Sequence, residues 1–141
     1  MSSLGKAISI AAEAHEGQRD KAGAPYILHP LRVMMKMSTD AERIAAVLHD
    51  LVEDTDWSLE LLRREGFPAE ILTALDCLTK HQGEEYAEFI KRVKPNPLAV
   101  KVKIADLEDN LDVSRLKNVT EADAKRIDKY KQAMLMLRKL D

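Results

Sequence analysis

The stretch "AAVLHDLVEDTD", residues 45–56, decides how this chain is read. With Ile44 before it, the residues Ala45, Val47, Leu48, Leu51 and Val52 read as a helix apolar nearly all round, the pattern of a buried element. Into it are set His49, Asp50, Glu53 and Asp54. Unpaired carboxylates are costly in a core, so this helix has to bring its polar groups to a shared partner. Adjacent His49 and Asp50 point about 100° apart on a helix, so both reach one ion only from a corner of the core. Just upstream, "TDAE" places Thr39 and Glu42 at capping-box spacing. One helix is expected from there through Val52, ended by Asp54 to Asp56.

Most of the remaining chain has the same helical period. Leu4, Ala7, Ile8, Ala11 and Ala14 share a face, and Gly17 stops that helix. The Gly- and Pro-rich "GQRDKAGAPYILHP" reads as a loop that holds His29 between Pro25 and Pro30. A short helix follows over Leu31 to Met37. Leu59 and Leu62 lead to a stop at Gly66, and Pro68 suits the first turn of a helix through Leu78. Tyr86, Phe89, Ile90 and Val93 form an amphipathic stretch that "PNP" at 95–97 breaks. Thr120 with Asp123 starts a last helix with Ala124, Ile127, Tyr130, Met134 and Leu137 on one face. "AVKVKIADL" alternates like a strand at Val100, Val102 and Ile104, yet Val100, Ile104, Leu107 and Leu111 fit a helix. No partner strand is evident, and a lone strand leaves its backbone unpaired, so the segment is assigned as helix. The expectation is an all-α fold, a single domain over residues 1–141 with no repeat and no linker.

Composition sets the outer limits. The chain has 141 residues, 45% hydrophobic and 33% charged, with a formal net charge of −2. That suits one compact core. It gives no reason to expect nucleic acid or an anionic membrane as partner. The start lacks a basic stretch followed by a long apolar run, and no segment nears the roughly 18 apolar residues of a membrane span; a cytoplasmic protein is expected. The single Cys77 lies among Ile71, Leu72, Leu75 and Leu78 and reads as a small core residue. Oligomeric state is not legible.

Imidazole and carboxylate together are ligands for a divalent ion. Beside His49 and Asp50 the chain offers His29 and Asp106, the latter in the middle of an apolar helix. Glu53 and Asp54, one turn past His49 and Asp50, reach water next to such an ion without ligating it. Taken singly, His29 reads as a turn cap, His49 as a satisfied core histidine, and Asp106 as the partner of Lys103 or Lys101. Taken together, these readings leave four polar groups without mutual partners, which a shared ion explains.

"HP" at 29–30, "LHDLVEDT" at 48–55 and "KIADLEDNL" at 103–111 resemble the H…HD…D pattern of HD-domain metal-dependent phosphohydrolases. With "AHEGQRDKAGAPYILHPLRV" before them, the closer resemblance is to the hydrolase domain of RelA/SpoT-type proteins and to the small alarmone hydrolases, over roughly residues 10 to 135. The resemblance implies a compact all-helical HD-domain fold with Mn²⁺, or another divalent transition metal, held by His29, His49, Asp50 and Asp106. It implies Glu53 and Asp54 as the groups that orient and deprotonate water, and a nucleotide substrate, guanosine tetra- or pentaphosphate (ppGpp or pppGpp), losing its 3′-pyrophosphate. It places Lys21, Asn110, Arg126 and Tyr130 at the substrate. Relatives have Arg directly before that Lys, able to stack on guanine. This chain has Asp20 there, and Arg19 is expected to stand in. Asp112 and Val113 depart from the family's Arg and small hydroxyl residue, and the segment between Thr79 and Ala105 is short. His15 reads as a supporting or structural group and His81 as loop surface. The rival readings are an HD hydrolase for another nucleotide or phosphoester, and a regulatory module that keeps the metal. A di-iron bundle is discounted, since no His has Glu three residues before it.

Overall fold

The computed structural model describes residues 3–139, and among them every regular element is a helix. The order is α1 (Leu4–Ala14), α2 (Leu28–Met35), α3 (Asp40–Val47), α4 (Leu51–Asp54), α5 (Leu59–Arg64), α6 (Ala69–Leu78), α7 (Tyr86–Val93), α8 (Pro97–Leu111) and α9 (Glu121–Arg138). None of the described helices is long and apolar enough to cross a membrane.

The starts follow the sequence closely. Thr39 and Glu42 close a capping box on α3, and Thr120 and Asp123 close one on α9. Asn96 caps α8 through Ala99 N–H at 2.9 Å, and Pro97 occupies the first turn, where its missing N–H costs nothing. Gly17 and Gly66 follow their helices with φ of 84° and 94°, values that suit glycine. The ambiguous segment is the interior of α8. Ala99, Val102, Ala105 and Leu107 are buried there against α2, α3 and α6. Leu48, Leu51, Leu62, Ile71, Leu75 and Ile90 are fully buried around the same centre.

Three expectations are corrected. The helix opened by Thr39 does not run through Val52. It stops at Val47, and a separate turn starts at Leu51. Leu48 and Asp50 sit at ψ of 0° and 1°, and the Leu51 amide bonds back three residues to Leu48. This tightened step frees His49 and Asp50 from the 100° spacing of a regular helix. His29 is not in a loop: α2 begins at Leu28, with His29 and Pro30 buried in its first turn. On α9 the predicted face holds at Tyr130, Met134 and Leu137, which pack in or against the core, but Ala124 is exposed and Ala133 is buried beside them. Tyr130 is turned to the α7 side, 6.3 Å from the Tyr86 ring centre. Cys77 is half-buried against the core, and burial pushes its thiol up.

Candidate active site

Four side chains from three segments converge on one point. The α3–α4 step supplies His49 and Asp50, the first turn of α2 supplies His29, and the middle of α8 supplies Asp106. One ligand atom from each lies within 4.8 Å of all the others. His29 Nε2 is 2.8 Å from Asp106 Oδ1 and 3.6 Å from Asp50 Oδ2. His49 Nε2 is 3.2 Å and 3.1 Å from the same two oxygens. All four residues predicted as metal ligands are therefore together.

The cluster is held from behind. His49 Nδ1 lies 2.6 Å from the Ala46 carbonyl, which only accepts, so the Nδ1–H donates and Nε2 faces the cluster. His29 Nδ1 is 2.6 Å from Asp109 Oδ2, and Asp109 is in turn gripped by Arg32 at 2.7 Å and 3.0 Å. Lys103 donates to Asp106 Oδ2 at 2.8 Å, leaving Oδ1 to the histidines and to the Asn110 amide at 3.1 Å. The Tyr26 hydroxyl donates to Asp50. The rings of His15, Tyr26, His29 and His49 stand in a row at centroid spacings of 5.1, 5.7 and 5.2 Å.

The charges follow from this geometry. Burial pulls the two imidazoles down, but the carboxylates outweigh it: Asp106 and Asp109 hold His29 above its ordinary value, and Asp50 and Asp106 hold His49 well above it. Burial raises Asp106 and Asp50, yet Lys103 and His49 keep the first well below the carboxylate range, and His49 keeps the second below it. The donor set, two imidazoles with fixed ring orientations and two ionised carboxylates converging on one point, fits a divalent transition metal. A metal would displace the protons that these histidines otherwise hold.

Two clefts meet beside the cluster. The first, about 350 Å³, is lined by His29, Asp50 and Asp106 of the cluster together with Glu53, Asp54, Lys80, Tyr86, Lys103 and Lys129. Asp54 is raised to about 6, by partial burial and then by the charges of Asp50 and Glu53. Glu53 is on the rim, its carboxylate accepting the Lys80 amide at 2.8 Å. The second cleft, about 390 Å³, is lined by Arg19, Lys21, Asp112, Arg115 and Arg126, and it shares Tyr26, Asn110 and Tyr130 with the first. The residues predicted for substrate, Arg19, Lys21, Asn110, Arg126 and Tyr130, are thus brought to one cavity. Arg126 is ion-paired with Asp123 on its own helix.

Asp20 also borders that cavity, but its Oδ1 accepts the Ala22 and Ala24 amides at 2.9 Å and 3.0 Å. It closes its own loop, and Arg19 Nη1 donates to Gly23 O at 2.9 Å on the other side. Asp112 likewise holds Ser114 and pairs with Arg115 at 3.3 Å. His15 is buried, its Nδ1 2.8 Å from Gln18 Oε1, and Gln18 donates to the Asp54 carbonyl at 3.2 Å. His81 is exposed near Asp76. Sequence reasoning missed Asp109, Arg32, Tyr26, Lys80 and Lys129. Asp109 left a trace: it is a second acid three residues past Asp106 on the same apolar helix.

The HD domain family matches residues 7–140 of the chain. A relative from Aquifex aeolicus (strain VF5), named guanosine-3′,5′-bis(diphosphate) 3′-pyrophosphohydrolase, is 35% identical over 75% of this chain and 17% of its own length. One from Streptomyces coelicolor, named GTP pyrophosphokinase, is 33% identical over 78% of this chain and 14% of its own. The chain thus spans less than a fifth of either relative. A solved structure described as a metazoan ortholog of SpoT that hydrolyzes ppGpp superposes with a TM-score of 0.80 over 98% of this chain and 86% of its own, at 24% identity. At that identity it supports the fold.

Proposed function

The chain belongs to the HD domain family, and from that premise we propose that it is a metal-dependent phosphohydrolase that removes the 3′-pyrophosphate from guanosine tetra- or pentaphosphate. The observation that carries the reading is the junction of two clefts: an acidic, histidine-bearing cluster at one end and a cation-lined cavity at the other, with Tyr26, Asn110 and Tyr130 common to both. A substrate with a reactive phosphate and a remote nucleotide body fits that division. The proposed ion is Mn²⁺ and the proposed compartment the cytoplasm.

In this reading His29, His49, Asp50 and Asp106 hold the ion. When bound, it supplies a Lewis acid that polarises a phosphoryl oxygen and acidifies water. Asp54 accepts the proton from the attacking water, and Glu53 orients it. The water oxygen bonds to the phosphorus on the ribose 3′-oxygen, the phosphorus–O3′ bond breaks, and the 3′-oxygen leaves with the electron pair and gains a proton. GDP or GTP and pyrophosphate result. Asn110 and Tyr130 bridge the clefts at the ribose, and Arg19, Lys21 and Arg126 receive the base and the 5′-phosphates.

Asp20 and Asp112 in the nucleotide cavity favour a second reading, another nucleotide or phosphoester, because they cut its positive charge. Their carboxylates are tied to their own loops, which leaves Arg19 and Lys21 to the ligand and favours the first. The test is pyrophosphate release from ppGpp by the Mn²⁺-loaded protein, run beside a nucleotide panel. Turnover of another nucleotide with none of ppGpp selects the second reading. Tight ppGpp binding without turnover of any nucleotide selects a regulatory module.

A further inference from the structure

The metal cluster accounts for one end of the 350 Å³ cleft. The other end carries a concentration of positive charge that the chain does not balance. Lys80, Lys103 and Lys129 all line it, from three separate segments. Lys103 is paired with Asp106. Among the described residues no carboxylate pairs with the Lys80 or Lys129 ammonium. Lys129 lies across aromatic rings instead, its Nζ 4.6 Å from the Tyr86 ring centre and 5.4 Å from that of Tyr130. Lys103 Nζ is 6.0 Å from the same Tyr86 ring and 5.1 Å from Phe89. Two ammonium groups thus share one ring as their seat.

Like charges on an exposed face ordinarily splay into water. Here they are held close enough to oppose one another: partial burial, then Lys103, Lys80 and Arg126, depress Lys129. The backbone of Lys80 is pinned by its amide bond to Glu53. The Tyr86 hydroxyl is buried in the same wall with no hydrogen-bond partner. Unbalanced cations, fixed in place beside an unused donor, are complementary to an anion rich in acceptor oxygens.

We propose that Lys103 and Lys129, seated on the Tyr86 and Tyr130 rings, and Lys80 on the same cleft wall form a seat for the far phosphate of a diphosphate whose near phosphate lies at the His29–His49–Asp50–Asp106 cluster. Under the hydrolysis proposed above, on which this assignment of the group rests, the seat holds the departing pyrophosphate. It makes the site prefer a diphosphate over a single phosphate.

Inorganic pyrophosphate and orthophosphate are the probes, titrated calorimetrically into protein loaded with one equivalent of divalent ion. No turnover is needed, so the result stands apart from the identity of the nucleotide. Lys80→Ala and Lys129→Ala each weaken pyrophosphate binding about tenfold and the double variant about a hundredfold, as expected for lost charge-assisted contacts. Orthophosphate binding changes less than about twofold, and Lys129→Arg retains the wild-type preference. Lys129 is exposed and Lys80 half-buried without an ion pair, and circular dichroism verifies that the variants keep their helices. Unchanged pyrophosphate affinity in the double variant overturns the seat. So does an equal loss for both anions, which marks a diffuse field, or a wild-type protein that does not bind pyrophosphate.

Discussion

The two clefts are built in opposite ways. At the cluster of His29, His49, Asp50 and Asp106, each side chain is held by another group: Ala46 and Asp109 orient the imidazoles, Lys103 and Tyr26 hold the carboxylates, and Arg32 holds Asp109. At the nucleotide end, charges lie on loops and on exposed helix faces and satisfy one another: Asp20 its own loop, Asp112 Arg115, Asp123 Arg126. Chemistry needs ligands fixed before substrate arrives, because an imidazole free to turn is a weaker ligand. Recognition tolerates side chains that exchange one partner for another, at the cost of contacts worth little individually in water. Substitutions should therefore have large and localised effects at the first end and small, graded ones at the second.

The largest effect tests the buried end. His49→Ala removes a proposed ligand whose ring is fixed and enclosed. Elemental analysis should find the protein without its metal, and activity should fall about 10³-fold or more. Full metal occupancy in this variant would remove the site assignment. Asp106→Ala should do the same and also lower thermal stability, because it strands the largely buried Lys103 ammonium.

Next comes the separation of ligand from base. Asp54→Asn and Glu53→Gln should keep the metal and lose roughly 10² to 10⁴-fold in turnover. Asp54 is the stronger candidate for the base, since it is raised to about 6. A base must be ionised, so kcat/KM should rise with pH through a limb at or below about 6, the bound cation drawing it lower. Asp54→Asn should abolish the limb. Stability runs the other way. A raised carboxylate favours the folded state while protonated, and that contribution is lost as pH rises from the unfolded value of about 3.9 through about 6. At neutral pH Asp54→Asn should thus stabilise the metal-free protein by about 1 kcal/mol, a figure reduced for solvent screening at an exposed carboxylate. Unfolding curves at pH 5 and 8 read this directly. A variant equally stabilised at both would show that the Asp54 charge is not strained.

A milder test leaves all four proposed ligands in place. Asp109→Asn weakens the grip on His29 Nδ1 and releases Arg32. Metal affinity should drop about 10 to 100-fold, the usual range for a partner behind a ligating histidine. Unaltered affinity would mean that α2 alone sets the ring.

The same contrast explains what the sequence disclosed. His49, Asp50 and Asp106 announced themselves because a polar residue in an apolar helix has no local reason to be there. The capping residues Thr39 and Thr120 marked their helix starts because a cap is a short-range bond. The stop at Val47 left no mark: no Gly or Pro interrupts the segment, and the step is imposed by the packing that turns both His49 and Asp50 inward. His29 reads as a loop residue because Pro25 and Pro30 flank it, although Pro30 sits in the first turn of α2. Lys80 and Lys129 stayed hidden because a lysine in a polar loop or on a polar helix face looks the same whether it meets water or a cleft.

The smallest effects lie at the nucleotide end, and Asp20 is the sharpest probe there. Arg19→Ala should raise KM for ppGpp about tenfold with kcat nearly unchanged, if Arg19 meets the base or a phosphate. Asp20→Arg removes the acceptor of the Ala22 and Ala24 amides, so it disturbs the loop as well as the charge and does not isolate either. Asp20→Asn does isolate the charge. The side-chain oxygen still accepts both amides, and one negative charge leaves a cavity proposed to take an anion. KM should fall only about two- to threefold, because the half-exposed carboxylate is screened by water and salt, and the gain should shrink further between low and physiological ionic strength. A tenfold fall would mean that Asp20 faces the substrate and that this cleft is as tightly built as the other. A rise in KM would mean that the Asp20 charge is needed as an acceptor, for which the N1–H and exocyclic amine of guanine are the fitting donors, and that the loop contact to Ala22 and Ala24 is exchanged when the nucleotide binds.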